Sequence, residues 1–357
     1  MNKSDIARIR LFNQQIAATK FTRPEEIVKR FGAMQAQDYP SAKWAIGLRI
    51  PDSTEEAVEQ ALETGKILRT HLMRPTWHFV AAEDIRWLLA LSAPQLRSTS
   101  KATFSSFGLD AETCRRANDL IAKALEGGKH LTRAEIMSEL KNSGIDSDNY
   151  RASYLMFSAE IDAVVCSGIK RGRQQTYALL DERAPRAESL SRDEAVAELT
   201  LRYFTSHAPA TLRDFVWWSG LPAADARKGL EMNKSNLTSE EIEGQTYFLP
   251  NDVLIPQNAA EALYLLPAFD EFMVAYKDRT ASLNAEQTKE AITGNGIFKP
   301  IIVVGGKIAG VWKRSFKNDS VVIEKVLFGE LNESQNADFQ SKAREYALFE
   351  GKNVQFL

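Results

Sequence analysis

Two glutamines near the N-terminus have the clearest potential for chemistry. They are Gln35 and Gln37, in the segment 31–40, whose sequence is FGAMQAQDYP. In an extended backbone, alternate side chains face the same way, so the two amides would project together. A glutamine side chain is neither an acid nor a base near neutral pH. It can only orient a water molecule, or stabilise positive charge through its carbonyl oxygen.

Such chemistry suffices to break a glycosidic bond only when the leaving group is already activated. An N-alkylated purine carries a positive charge, and its departure passes through a transition state that resembles an oxocarbenium ion. Carbonyl dipoles directed at that cation lower the barrier. The alternative is that the pair hydrogen-bonds loop backbone after a helix. The adjacent Asp38 is the one nearby group able to act as a general base, but in a strand it would point the other way.

Composition places the chain among ordinary globular proteins. The 357 residues are 44% hydrophobic and 26% charged, which excludes disorder and indicates two or three cooperating domains. No apolar run is long enough to span a bilayer, and the N-terminus does not resemble a signal peptide. Two cysteines, Cys114 and Cys166, suit a reducing cytoplasm, although a disulfide between them stays open. The histidines lack zinc-site spacing, so we expect no metal and no cofactor.

The net charge of −2 argues mildly against a nonspecific nucleic-acid binder. The local distribution weakens that objection, because residues 296–318 contain no acid. They contain five basic residues, which are Lys299, Lys307, Lys313, Arg314 and Lys317. A near-neutral total can therefore include one basic face.

The middle of the chain has the clearest structural pattern. Apolar spacing predicts a helix over 111–125, and a capping box at Thr132 starts a second one over 133–141. A third helix is predicted from about 149 to 166, followed by a basic hairpin over 169–180 that turns at Gly172 and Arg173. Three helices followed by such a hairpin form the pattern of a winged helix.

The same order recurs on either side of this unit, which indicates stacked copies of one supersecondary unit. The expected fold class is α+β, with tandem winged-helix units and a C-terminal strand-rich cap. The predicted domains are a winged-helix-like unit 1 at 1–108, with an inserted catalytic loop over 34–51, winged-helix units at 109–188 and 189–262, and the cap at 263–357. The predicted elements outside the middle unit are helices at 4–18, 24–32, 55–64, 193–205, 210–220, 222–232 and 335–349, hairpins at 67–80 and 237–249, and strands at 300–304, 307–313 and 320–327.

Basic residues on the predicted hairpins could bind DNA phosphates. Solvated surface charge is the alternative for the lysines and arginines, and a core-edge position bonded to backbone is the alternative for His78. Asp270 and Arg279 are expected to form a structural ion pair between domains, and Trp217 and Trp218 to pack in the core. The candidate DNA-binding residues are Arg69, Arg74, His78, Lys170, Arg171, Arg173, Lys313 and Arg314.

Several short motifs, in order along nearly the whole chain, are similar to those of the AlkZ-type family of bacterial DNA glycosylases. They are MQAQD at 34–38, SAKW at 41–44, RPTWHFV at 74–80, LLPAFDEFMVAYKDR at 265–279 and VWKR at 311–314. The resemblance implies tandem winged helices arranged as a C-shaped clamp around double-stranded DNA. It also implies that Gln35 and Gln37 position the hydrolytic water. A sister subfamily has an acid in place of the second glutamine.

The resulting hypothesis is a cytoplasmic, monomeric, monofunctional glycosylase that removes cationic N7- or N3-alkylated purines, including those of interstrand crosslinks. The alternative is a noncatalytic winged-helix DNA-binding protein or transcription regulator. A regulator is usually a symmetric dimer, and internal repetition without a heptad seam disfavours that arrangement. An RNA- or protein-binding scaffold also stays open because of the near-neutral charge.

Overall fold

A computed structural model of the protein describes residues 1–148, 150–184, 189–252 and 262–357. Helices account for 47% and strands for 21%, which confirms the α+β class. The chain divides into two compact units, each built from segments that are not contiguous in the sequence. Unit 1 consists of Met1–Glu59, Val196–Trp218 and Pro222–Leu357, and unit 2 of Gln60–Ala195 and Ser219–Leu221.

Apolar spacing and capping residues predicted most, but not all, of the helices. In chain order they are α1 (Lys3–Asn13), α2 (Pro24–Phe31), α3 (Tyr39–Gly47), α4 (Glu55–Glu63), α5 (Ile85–Ser106), α6 (Ala111–Leu125), α7 (Arg133–Asn142), α8 (Tyr150–Ile161), α9 (Leu180–Arg183), α10 (Arg192–Ser206), α11 (Leu212–Ser219), α12 (Ala223–Met232), α13 (Glu271–Val274), α14 (Thr288–Ala291) and α15 (Glu333–Phe349).

The strands form short hairpins and one larger sheet. In chain order they are β1 (Met34–Gln35), β2 (Ile67–Leu72), β3 (Thr76–Ala81), β4 (Leu131–Thr132), β5 (Val165–Ser167), β6 (Thr176–Leu179), β7 (Leu237–Ile242), β8 (Gln245–Pro250), β9 (Leu263–Leu266), β10 (Ile301–Val304), β11 (Lys307–Lys317), β12 (Ser320–Leu327) and β13 (Asn353–Phe356).

Unit 2 contains the three-helix pattern that the sequence predicts. Helix α6 has its predicted bounds, and Thr132 caps α7 by accepting a hydrogen bond from the main-chain nitrogen of Glu135. Strand β4 lies between α6 and α7, and β5 and β6 follow α8; together they form a small sheet of order β4-β6-β5. The apolar faces of α6, α7 and α8 form one core with Val165 and Tyr177.

Two predicted boundaries in unit 2 are wrong. Helix α8 ends at Ile161 instead of 166, because Ala163 takes a left-handed conformation with φ 57° and the β-branched residues that follow favour a strand. The first hairpin strand is therefore β5, upstream of the predicted 169–180. Helix α5 was not predicted at all, since its apolar residues do not form a narrow stripe and Pro94 lies inside it.

Unit 1 contains the larger sheet, with strand order β13-β12-β11-β10-β9. The predicted strands at 300–304 and 320–327 agree with β10 and β12, whereas β11 continues four residues past its predicted end. The terminal helix α15 begins at an Asn332 capping box. The core between the sheet and the N-terminal helices includes Leu11, Phe272 and Ile301. Strands β9 and β13, each four residues long, were not predicted.

The other predicted elements of unit 1 are present with small shifts. Helix α1 ends at Asn13 rather than 18, and α2 ends one residue early, at Phe31. The hairpin β7–β8 turns at Glu243 and Gly244, both with positive φ, which a tight two-residue hairpin requires. The segment 34–51 was expected as an insertion, and it contains the additional helix α3.

The cysteines and the hydropathy of the helices are relevant to the cellular compartment of the protein. Cys114 and Cys166 are both buried free thiols, so no disulfide joins them. Burial raises the pKa of the Cys166 thiol to about 12, which makes it unreactive at neutral pH. Among the described residues, no helix has the length and apolar character that crossing a membrane requires.

Candidate active site

Gln35 lies at the end of β1 and is nearly buried, with 8% of its surface exposed. Its main-chain N–H donates a hydrogen bond to Oε1 of Glu271, with 2.7 Å between the two atoms. A carboxylate that accepts from a backbone N–H holds that stretch of chain more strongly than a neutral acceptor would. Glu271 therefore fixes the backbone from which the Gln35 amide projects.

Glu271 is itself buried and held from its other oxygen. Nε1–H of Trp218 donates to Oε2 of Glu271 at 2.9 Å, and Nε2 of His207 lies 3.4 Å from the same oxygen. Burial lowers the pKa of His207, so its imidazole is neutral at physiological pH. Glu271 thus serves as an anchor among aromatic side chains and does not face solvent.

A buried ion pair positions Glu271 in turn. Asp270 precedes the short helix α13 and accepts a hydrogen bond from the main-chain nitrogen of Phe272 at 2.9 Å. Both terminal nitrogens of the Arg49 guanidinium donate to the Asp270 carboxylate, at 2.8 and 2.9 Å. This two-pronged geometry fixes the direction of the aspartate and hence the start of α13.

The side-chain oxygen of Gln35 stands out in this network. Gln35 Oε1 is buried and accepts no hydrogen bond from the described residues. A buried polar atom without a partner costs roughly 1–3 kcal/mol, so such atoms are uncommon in stable folds. The capacity of this oxygen to accept a hydrogen bond is therefore unused among the described residues.

Gln37 and Asp38 have different surroundings from Gln35. The extended conformation is limited to Met34–Gln35, and Gln37 lies in an exposed bend. The Asp38 carboxylate caps α3 by accepting a hydrogen bond from the main-chain nitrogen of Ser41 at 3.0 Å. Asp38 therefore has a structural task that is independent of proton transfer.

The strand β11 brings one predicted basic residue near this segment. The Arg314 guanidinium donates to the Ser41 hydroxyl at 3.2 Å and lies over the ring of Tyr346. Lys313, the next residue back, is exposed and faces Glu324 across the β11–β12 pairing. Arg314 is thus next to the helix that Asp38 caps, and Lys313 is on the open surface.

The predicted ion pair between Asp270 and Arg279 is wrong. Asp270 pairs with Arg49, and Arg279 donates instead to the main-chain oxygen of Met273 at 2.8 Å. Asp270 and Arg49 are 221 residues apart in the sequence, and spacing along the chain does not predict such a contact. The predicted core position of Trp218 is confirmed, since 1% of its surface is exposed.

The upstream candidates of unit 2 are mostly buried. Arg69 is buried with its guanidinium 4.2 Å from the centre of the Trp77 ring, and Arg74 is half-buried. His78 is buried and its Nδ1 lies 2.9 Å from the carbonyl oxygen of Thr76. This placement of His78 favours the structural interpretation over contact with DNA.

The hairpin candidates of unit 2 are more accessible. Arg171 and Arg173 are exposed and Lys170 is half-buried. Arg171 forms an ion pair with Glu135, and that hydrogen bond lowers the pKa of the glutamate to about 2. Among these three, Arg171 already has an acidic partner.

Glu271 is the residue that sequence reasoning missed. It lies within the motif at 265–279, but there only Asp270 and Arg279 were singled out. An acid between Asp270 and Phe272, at the start of a run of apolar residues, is a signal for a buried carboxylate that must have partners. That signal could have drawn attention to it.

The geometry so far defines a site in which a buried carboxylate holds the backbone of Gln35, whose side-chain oxygen has no hydrogen-bond donor among the described residues. A family model described as "DNA glycosylase AlkZ-like" matches residues 28–349, which is most of the chain. The chain belongs to the AlkZ-like DNA glycosylase family. It is accordingly a DNA glycosylase, a class of DNA-binding repair enzymes.

Two comparisons agree with this assignment. The chain is 22% identical over 302 residues to the "Interstrand DNA cross-link repair glycosylase" of Streptomyces sahachiroi, with 81% of each protein covered. It also superposes on the solved structure of "Streptomyces sahachiroi DNA glycosylase AlkZ" with a TM-score of 0.83 and 19% identity, covering all of both chains. At that identity the structural likeness establishes the fold alone.

Proposed function

We propose that the protein hydrolyses the N-glycosidic bond of purines made cationic by alkylation at N7 or N3. The observation that carries this proposal is the buried Gln35 carbonyl oxygen without a partner. A cationic purine leaves without needing a proton, so an acid is not required to assist its departure. The work left to the protein is to hold water and to stabilise positive charge on the sugar.

The reaction balances without a protein nucleophile. The C1′–N bond breaks and its electron pair neutralises the purine cation, while the sugar becomes an oxocarbenium-like species. Gln35 Oε1 accepts a hydrogen bond from the attacking water, whose oxygen forms the new bond to C1′. The attacking water releases a proton to solvent. Along the chain, the Asp38 carboxylate is the group nearest to the two glutamines that can accept this proton. Gln37, exposed in its bend, holds the water or sugar from the solvent side.

Glu271 acts on this chemistry through the backbone. Its Oε1 is already engaged by the Gln35 main-chain N–H, and its Oε2 by Trp218. It is therefore a positioning residue. The Arg49–Asp270 pair extends the same support one step further from the reaction.

A monofunctional mechanism follows from water as the nucleophile. A glycosylase that used an amine would form a Schiff base with the sugar, and borohydride would trap it covalently. We expect no borohydride-trapped protein–DNA adduct under conditions in which base is released. A trapped adduct that disappears when a lysine is replaced would contradict this part of the proposal.

The substrate range and the mode of DNA binding are further parts of the proposal. The name of the Streptomyces relative supports the inclusion of interstrand crosslinks attached through purine nitrogens. The chain order α6-β4-α7-α8-β5-β6, with the three strands in one sheet, supports a winged helix in unit 2. Action as a monomer, the three-unit division and the C-shaped clamp remain predictions.

The first experiment measures free base released from duplex DNA that contains N7-methylguanine. We expect release by the wild-type protein and a fall of about 100-fold or more in Gln35→Ala/Gln37→Ala, comparable to the loss of one preorganised group that stabilises transition-state charge. The melting temperature should barely change, because the Gln37 side chain is exposed and the buried Gln35 side-chain oxygen has no hydrogen bond among the described residues to lose. Undiminished release by the double variant would refute the proposed roles.

A matched control separates the site from general polar surface. Gln340→Ala/Gln355→Ala also removes two glutamine amides from unit 1, at exposed positions of α15 and β13. We expect this variant to release base at the wild-type rate. Equal losses in both double variants would indicate a nonspecific effect on the fold.

A further inference from the structure

We propose that unit 2 contains a separate binding site for one unpaired nucleotide of DNA, recognised through its base and its phosphate. The inference rests on the proposed function insofar as DNA is the substrate. A cavity of about 740 Å³ lies within unit 2, between the β2–β3 hairpin, α5 and α8. Cavities of a few hundred to about 1,000 Å³ are typical of sites for small organic ligands.

One face of α8 supplies aromatic rings to this cavity. Tyr150, Tyr154 and Phe157 line it and recur at the spacing of one helical face. Tyr150 is 71% exposed, with its ring stacked on Phe107 at 5.9 Å and 26° between the ring planes. So exposed a ring contributes little to the core of unit 2, which leaves it available for contact with a ligand.

The position of α8 makes this composition informative. It is the third helix of the proposed winged helix, and that helix normally enters the major groove and reads base edges. Base edges of paired DNA are read by arginine, lysine, asparagine and glutamine. Aromatic side chains instead stack on bases that have left the helix, each stack contributing roughly 1–3 kcal/mol. This face is therefore suited to an unpaired base.

The charge of the cavity wall points to the phosphate of the same nucleotide. The lining includes His71, Arg74 and Arg133, and it includes no aspartate or glutamate among the described residues. Arg133 is exposed at the start of α7, and its guanidinium donates a hydrogen bond to the Ser153 hydroxyl at 3.3 Å. Cationic and aromatic groups together select a planar ligand that carries negative charge.

The nearest buried acid does not change that selection. Glu160 is fully buried, and its Oε2 lies 2.5 Å from Nδ1 of His71. The carboxylate is thus used behind the wall to hold the imidazole, whose ring packs at 4.0 Å against the ring of Trp77. His71 therefore lines the cavity, whereas the Glu160 carboxylate is buried behind it.

The test compares the binding of the full-length protein to two duplexes that differ by one bulged adenine. We expect the bulged duplex to bind about 10-fold more tightly than the fully paired one, as a single base stack of this strength would give. In Tyr150→Ser/Arg133→Gln that preference should vanish, while affinity for the paired duplex falls little. Free dAMP is included as a competitor to distinguish the two sources of a nucleotide.

Controls keep the outcome decisive. Tyr150→Phe keeps the ring and should keep the preference. Leu348→Ser, at a side chain that is 73% exposed on α15, and Arg115→Gln, at an exposed position of α6, should also keep it. A preference that survives in Tyr150→Ser/Arg133→Gln overturns the proposal, as does competition by dAMP without any preference for the bulged duplex. Melting curves establish that each variant is folded.

The result is independent of the proposed chemistry. If N7-methylguanine is not released but the bulge preference depends on Tyr150 and Arg133, the glycosylase proposal fails and the nucleotide site stands. If release is normal and the variant binds both duplexes as the wild type does, the nucleotide site fails and the glycosylase proposal stands.

Discussion

Among the described residues, each unit of the protein buries one glutamate beside one histidine, and the two pairs have different tasks. In unit 1, Glu271 lies 3.4 Å from His207 and accepts hydrogen bonds from a backbone N–H and an indole. In unit 2, Glu160 lies 2.5 Å from His71, a residue of a cavity wall. The first glutamate holds a segment of chain, and the second holds a side chain.

The difference lies in what surrounds each carboxylate. Two donors from separate segments of unit 1, the Gln35 main-chain N–H and the Trp218 indole, hydrogen-bond to Glu271, and His207 Nε2 lies 3.4 Å away. Among the described residues, the close partner of Glu160 is His71, and burial raises the pKa of the Glu160 carboxyl. A buried carboxylate that several donors surround can therefore fix a segment of backbone. One with a single close partner fixes only that side chain.

The largest expected effect comes from removing the support of the anchor in unit 1. Asp270→Ala leaves the Arg49 guanidinium buried without its charge partner, which should lower the free energy of unfolding by about 3–5 kcal/mol. Urea denaturation measures this. Asp119→Ala removes one partner of an exposed ion pair on the surface of α6 and should change stability by less than about 1 kcal/mol. Equal losses in the free energy of unfolding would show that the Asp270–Arg49 pair contributes no more than a surface ion pair.

A smaller effect is expected when the anchor itself loses its charge. Glu271→Gln keeps an acceptor for one donor but weakens the hold on Gln35, so the rate of base release should fall about 10- to 100-fold, as small misplacements of a catalytic group do. The drop should appear in kcat rather than in KM, because binding of DNA is not altered.

Asp214→Asn is the matched control for Glu271→Gln. Asp214 is also buried in unit 1, and it accepts main-chain N–H bonds from Lys277 and Asp278. It should lose comparable stability and keep the wild-type rate per folded molecule. A similar fall of kcat in both variants would mean that Glu271 acts only through general stability.

The smallest effect sharpens the comparison through pH. Burial raises the pKa of Glu160 above its ordinary 4.5, so the folded form binds its proton more readily than the unfolded chain. That contribution to stability is complete below pH 4.5 and is lost as pH rises through the folded pKa. Burial lowers the pKa of His207 below its ordinary 6.5, so its contribution is present above pH 6.5 and is lost on acidification.

Hydrogen exchange resolves the two regions separately. Between pH 6.5 and pH 4.5, amide protection near Glu160 should rise and protection near His207 should fall, after correction for intrinsic exchange rates. Glu160→Gln should abolish the rise in unit 2 alone. Movement of both regions in the same direction would contradict the assigned pKa shifts.

Local signals predicted the elements whose residues act through near neighbours. Thr132 and Glu135 cap α7 across three residues, and Glu243 with Gly244 sets one hairpin, so both elements could be predicted. Helix α5 lacked such a signal, and the end of α8 was misplaced because the left-handed Ala163 interrupts an apolar run. Patterns of period and capping do not contain that conformational choice.

The sequence by itself determined the α+β class, most helices and hairpins, the family motifs and the candidate glutamines, because these depend on residue types at short spacing. Tertiary structure decided the partners of the buried charges. Asp270 meets Arg49 rather than Arg279, and Glu271 meets Gln35 across 236 residues. A buried charge takes whichever donors the packed core brings to it, and chain separation places no limit on that choice.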